Sequence, residues 1–403
     1  MKMLLHTPEG VRDIYNKECE NKLYLQEQIH KVMKLYGYSD IQTPSFEFFD
    51  VFGKDKGSTP SKNMYKFFDR EGNTLVLRPD VTPSIARAVA KYFTREDMPI
   101  RFCYMGNTFV NNAEHQGKLK EITQTGAELI GDNRSDADVE AIALVINALL
   151  KCGLSEFQIE IGHAGIISGM IEVAGLNEER AEEFKELLEN KNFFGVEAFL
   201  NDNNTNEAAK LLISKLCSYS SSIDIIKEAG EMTDNPLMLK AFERLEKVYD
   251  MLTVYGYERY ISFDLANVSN HEYYTGITFK GYTYGTGDAV VTGGRYDHLL
   301  KLFGMDTQAM GFAINLDQLL IAMERQNINI ELNCEKALIL YEEERRQEAL
   351  KKACELRNKD IAVTTVRRYP LRSMEEYKRF AAGKGIKKII YFDDGINIQE
   401  IIV

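Results

Sequence analysis

Three short stretches of this sequence carry side chains that could enclose a small polar molecule. In EITQTGAELI, Gln124, Gly126 and Glu128 lie two apart, and strand side chains at that spacing share a face. Gln124 and Glu128 therefore point together, with Gly126 leaving room between them. In TLVLRPDVT, Arg78, Asp80 and Thr82 project to one side by the same alternation, as the strand ends at Pro79. A carboxylate facing a pocket favours a cationic or N–H-rich guest. The EYYTG stretch adds Tyr273 and Tyr274, whose hydroxyls can hydrogen-bond a guest while their flat faces enclose it. GGRYD, residues 293–297, supplies glycines that let the backbone approach closely.

The elements that must position these groups follow from periodicity. Residues 18–36 place Leu23, Leu25, Ile29, Val32, Met33 and Leu35 at mostly helical spacing and stop at Gly37. Residues 74–77, 101–109 and 121–130 read as strands, and residues 84–93 and 135–151 as helices. From about 168 to 255 the composition turns helical and charged, which marks a helical insertion with NDNNTN as a loop inside it. ERYISFDLANVSNHEYYTGITFKGYTYG reads as a hairpin meander, and GFAINLDQLLIAMER as a closing helix. Past Asn327 an alternation of strand and helix (KALILY, EERRQEALKKACELRN, IAVTTV, KKIIYF) predicts a small α/β domain. The predicted organisation is an α+β domain at 1–326, an antiparallel sheet flanked by helices, followed by a second domain at 327–403.

Composition narrows the function. With 403 residues, 44% of them hydrophobic, the chain can bury a large core. Its formal net charge of -12 gives no global basic field for nucleic-acid phosphates. Six cysteines (19, 103, 152, 217, 334 and 354) lack CxxC spacing, which speaks against a zinc or redox pair. No stretch reaches the roughly 20 apolar residues of a membrane helix, and MKMLLHTPEG lacks the apolar core of a secretory signal. A cytoplasmic protein without metal or cofactor is the expectation.

In order and spacing, these stretches and RFCYMGNTFVNNAEHQGKLKEITQTGAELIG at 101–131 resemble the class II histidyl-tRNA synthetases over about the first 325 residues. In that family the segments matching Asp80, Thr82, Gln124 and Glu128 hold the α-amino group and imidazole of histidine, and the tyrosine pair belongs to its histidine-specific loop. Asp80 stands where the family has a glutamate, one methylene longer. The resemblance also shows what is missing. The arginines that steady ATP while an amino acid attacks its α-phosphate correspond to Val110 and Gln318, and the histidyl-specific arginine to Ser269. No arginine lies between Leu265 and Tyr273, so the ligand carboxylate lacks its usual partner.

Losing one such preorganised donor costs about 10²–10³ in rate, so the resemblance implies a synthetase-like body without adenylation. That combination is similar to one family, the regulatory subunits of short-form ATP phosphoribosyltransferase. It implies a non-catalytic histidine sensor, with Asp80, Thr82, Gln124, Glu128, Tyr273 and Tyr274 contacting histidine. It also implies a homodimer assembled with the short catalytic subunit in the first step of histidine biosynthesis. Rival readings are a divergent histidyl-tRNA synthetase and a tRNA-binding translation factor; the modest basic cluster at Arg367, Arg368, Arg372, Lys378 and Arg379 makes tRNA the poorer partner.

Overall fold

The structure is a computed structural model that describes residues 5–53, 59–112, 118–218, 222–268, 273–330, 335–395 and 397–403. It divides into two compact units, Met1–Asp13 with Asn21–Asn329, and Ile14–Glu20 with Ile330–Val403.

The larger unit opens with helix α1 (Asn16–Leu35), which buries Leu25, Ile29, Val32 and Met33. Short strands β1 (Ser39–Asp40), β2 (Phe46–Phe48), β3 (Lys66–Phe68) and β4 (Thr74–Leu77) follow, then α2 (Thr82–Tyr92), whose second residue is Pro83. Proline is tolerated there because the first helical N–H groups have no intrahelical partner. The long pair β5 (Ile100–Phe109) and β6 (Glu121–Ile130) runs antiparallel with Tyr104 opposite Gly126 and Phe102 opposite Glu128.

Next come α3 (Ser135–Lys151), β7 (Phe157–His163), and six helices, α4 (Ala164–Val173), α5 (Glu178–Glu189), α6 (Phe193–Asp202), α7 (Glu207–Leu216), α8 (Asp224–Gly230) and α9 (Pro236–Val254). Asparagines 177, 192, 206 and 235 cap α5, α6, α7 and α9, each side chain accepting hydrogen bonds from first-turn N–H groups. The unit closes with β8 (Ile261–Phe263), β9 (Ile277–Thr283), β10 (Val291–Arg295), β11 (Ala309–Asn315) and α10 (Leu316–Arg325).

The main sheet has the order β1-β5-β6-β11-β10-β9-β7-β8, antiparallel except for the edge pairs β1–β5 and β7–β8. Two sequence expectations change here. ERYISF and ITFKGYT are not hairpin partners: β7, which the periodicity did not reveal, lies between β8 and β9. GFAIN is not helical either, because it pairs along β6 and β10 as β11, and only at Asn315 does a side-chain cap start α10.

The smaller unit holds β12 (Lys336–Tyr341), α11 (Arg346–Arg357), β13 (Ala362–Arg367), α12 (Met374–Gly383), β14 (Lys388–Phe392) and β15 (Ile398–Ile402). Its sheet, β13-β12-β14-β15, is parallel apart from the last strand.

Candidate ligand-binding site

The expected residues converge. Asp80, Thr82, Gln124, Glu128, Tyr273 and Tyr274 line one small cavity of about 60 Å³, walled also by Thr292, Tyr296 and Gly311. Its floor is the face of β6, β11 and β10 that carries Glu128, Gly311 and Gly294, aligned by register. Glycine at 311 leaves room for the Glu128 carboxylate, which a Cβ there would displace. The space over Gly126 is used differently from the sequence expectation: Tyr104, its cross-strand partner, fills it with a phenol ring.

Glu128 is the electrostatic centre. It is 1% exposed and accepts hydrogen bonds from the hydroxyls of Thr82, at 2.8 Å, and Tyr296. Burial raises its pKa to about 8 despite both hydroxyls, because removing a carboxylate from water penalises the ionised form more than two neutral donors favour it. At pH 7 Glu128 is therefore mostly protonated. Asp80 sits at the entry to α2, where Oδ1 accepts from the Thr82 N–H at 3.1 Å and Oδ2 from the Tyr273 hydroxyl at 2.9 Å. Tyr273 packs edge-on against Tyr274 and Tyr296, at centroid separations of 5.1 and 5.8 Å. Burial raises all four tyrosines, 104, 273, 274 and 296, well above their usual pKa, so they remain neutral donors. Tyr296 and Tyr104 were missed as site residues. Tyr296 could have been found from its spacing two residues after Gly294, whereas Tyr104 needed the β5–β6 register.

Among the described residues, no arginine or lysine lines this cavity. The two nearby arginines in the motifs are committed elsewhere. Arg78 turns away from Asp80 and Thr82, lies across Gly106, and donates to the backbone carbonyls of Asn107 and Thr43 at 2.8 and 2.9 Å. Arg295 pairs in register with Met310, one residue out of phase with Gly294 and Gly311, so it leaves on the opposite face. There it holds Asp138 of α3 at 2.6 Å.

The positions where arginines would contact a nucleotide carry none. Val110 follows β5 and is held by its N–H bond to the Lys120 carbonyl, 2.9 Å. Gln318 lies in the first turn of α10, its N–H bonded to Asn315 at 3.1 Å. Ser269 falls outside the described residues. Lys118 is exposed and lies 3.8 Å from Asp288. The strand-to-helix junction is closed by Asp317, which takes a 2.8 Å bond from the Lys22 ammonium and another from the Thr123 N–H.

A fold of this topology with a buried, tyrosine-walled carboxylate pocket defines a class, and comparison with known proteins agrees. The family described as histidyl-tRNA synthetase matches residues 10–319. Histidyl-tRNA synthetase from Nostoc has a similar fold, with a TM-score of 0.81 at 19% identity, covering 99% of this chain and 97% of that one. The structure of an ATP phosphoribosyltransferase regulatory subunit/histidyl-tRNA synthetase from Bacillus halodurans is similar at a TM-score of 0.87 and 33% identity, over 97% of this chain and 99% of that one. The protein is thus a histidyl-tRNA synthetase-like, class II body.

Within that class, the sequence relatives are more specific. The ATP phosphoribosyltransferase regulatory subunit of Ruminiclostridium cellulolyticum is 37% identical over 394 residues, 98% of this chain and 94% of that protein. That of Clostridium botulinum is 39% identical over 358 residues, 88% of this chain and 85% of that protein. The chain belongs to the family of ATP phosphoribosyltransferase regulatory subunits.

Proposed function

We propose that this chain is a non-catalytic histidine sensor that activates a short catalytic subunit of ATP phosphoribosyltransferase and makes it sensitive to histidine, acting as a homodimer in the cytoplasm. The observation that supports this best is a small pocket lined by Asp80, Glu128 and three tyrosines, with no cation among its described lining residues. Such a pocket suits an ammonium and an imidazole. It does not suit a triphosphate, whose charge needs fixed cations.

The ammonium of histidine fits against Asp80 and Gln124, and its imidazole against Glu128 and the tyrosines. A protonated Glu128 can donate to a neutral imidazole or pass it the proton and form an ion pair. Coupling of about 1–3 kcal/mol between this pocket and the catalytic subunit is enough for useful inhibition.

Calorimetry with histidine, on the protein alone and with its catalytic partner, tests the reading: binding is expected, and no heat in either form rejects the sensor. Histidine-dependent exchange of pyrophosphate into ATP should stay at background. Clear turnover would instead make the chain a divergent synthetase.

A further inference from the structure

The amino-acid reading leaves one group of the ligand without a partner. Histidine carries a carboxylate, and the described residues that line the acidic cavity include no arginine or lysine to pair with it. The same face of the sheet continues beyond the cavity, and a lysine waits there. Thr292 of β10 lines the cavity, and its register partner on β9 is Lys280. Register partners share a face about 4.8 Å apart, so Lys280 stands one strand beyond the cavity wall.

Lys280 lines a second, larger cavity of about 320 Å³, together with Lys191, Asp264, Asn267 and Tyr282. Its ammonium is held by the side-chain oxygen of Asn267 at 2.9 Å, a neutral acceptor. Asp264, Glu160 and Glu189 lie near enough to favour its charged form, but burial outweighs them. Asp264 is shared with Lys191, which it meets at 3.2 Å, and Glu160 is the cross-strand partner of Lys280, its pKa raised by burial. Burial also lowers the pKa of Lys280, the mark of an ammonium short of compensating charge.

Two polar atoms beside it, Asn267 Nδ2 and Thr278 Oγ1, are buried and have no hydrogen-bond partner among the described residues. Both residues stand over Gly162, where a Cβ would come within 3.5 Å of each. Buried donors without partners are uncommon in folded proteins, and together with a half-compensated ammonium they describe a place for an anion.

We propose that Lys280 receives the carboxylate of the amino-acid ligand, which lies from the acidic cavity across Thr292 towards this ammonium and Asn267. This rests on the reading of the acidic cavity as an amino-acid site. In this chain a lysine from the sheet floor then supplies the charge that a loop arginine would otherwise bring.

The test deletes the carboxylate from the ligand and the ammonium from the protein separately. Histidine and histamine differ by that carboxylate, and calorimetry of both on the intact protein should show histidine binding about tenfold tighter or more, the effect of one charged hydrogen bond. In Lys280→Met the preference should collapse towards unity while histamine affinity stays at its original value. A preference that survives in Lys280→Met overturns the proposal, and so does equal binding of the two ligands by the unaltered protein. In both cases the amino-acid site itself stands. If the unaltered protein binds neither ligand, the underlying reading falls as well. Should Lys280→Met bind neither, Lys280→Arg decides: it should keep the preference for histidine, and loss of that preference rejects the proposal.

Discussion

Two carboxylates lie buried on opposite sides of the same sheet, and they are treated in opposite ways. Asp138 of α3 is 0% exposed and is gripped by Arg295 at 2.6 Å and by Arg244 at 2.6 Å. Glu128 of β6 is 1% exposed and, among the described residues, is hydrogen-bonded by the hydroxyls of Thr82 and Tyr296. The first has its counter-charges built in and serves the scaffold, tying α3 and α9 to β10. The second has no cation among the described residues of its pocket and is held towards its neutral form by burial, a perturbation typical of binding and catalytic sites. The GGRYD stretch serves both: Arg295 goes to the scaffold carboxylate, Tyr296 to the pocket carboxylate.

The sharpest way to break this comparison is to remove each acid in turn. Asp138→Ala leaves two guanidinium groups without their partner and should cost about 3–5 kcal/mol of stability, read by urea unfolding. Glu128→Ala should cost distinctly less stability but weaken histidine binding by about 10- to 150-fold, the value of a hydrogen bond to a charged group. If Glu128→Ala unfolds the protein as readily as Asp138→Ala, the two acids are both structural and the contrast fails.

A smaller effect appears with pH. The pKa of Glu128 is raised from 4.5 to about 8 in the folded protein, so the folded state holds a proton that the unfolded chain has released in that interval. Stability should therefore fall as pH rises from about 4.5 to 8, and Glu128→Gln should flatten that part of a thermal-unfolding profile. An unchanged slope would show that Glu128 ionises normally. The smallest expected change is in Tyr273→Phe, which removes one donor to Asp80 and should weaken histidine binding about 2- to 10-fold, given a net hydrogen bond of about 0.5–1.5 kcal/mol.

Much of the site was legible before folding was considered. Gln124 and Glu128 are four apart on a strand, two full periods of the alternation that the backbone enforces, and the six expected residues line one cavity. What misled the reading was local. Arg78 alternates correctly with Asp80 and Thr82, yet Pro79 breaks the strand and the guanidinium is drawn to backbone carbonyls over Gly106. GFAIN lacked the polar alternation of an exposed strand, because β11 lies in the middle of the sheet and is covered on both faces.

The sequence by itself determined which chemistry was present: acids and phenols at fixed strand spacing, and no arginine at the positions where a nucleotide would require one. Side-chain type and two-residue alternation are properties of the chain alone. Only the tertiary structure decided which charges cancel. Whether Arg295 faces the pocket or Asp138, and whether Lys280 lies beside Thr292, depends on cross-strand register between segments far apart in the chain. Local sequence carries no information about that register until the strands are aligned.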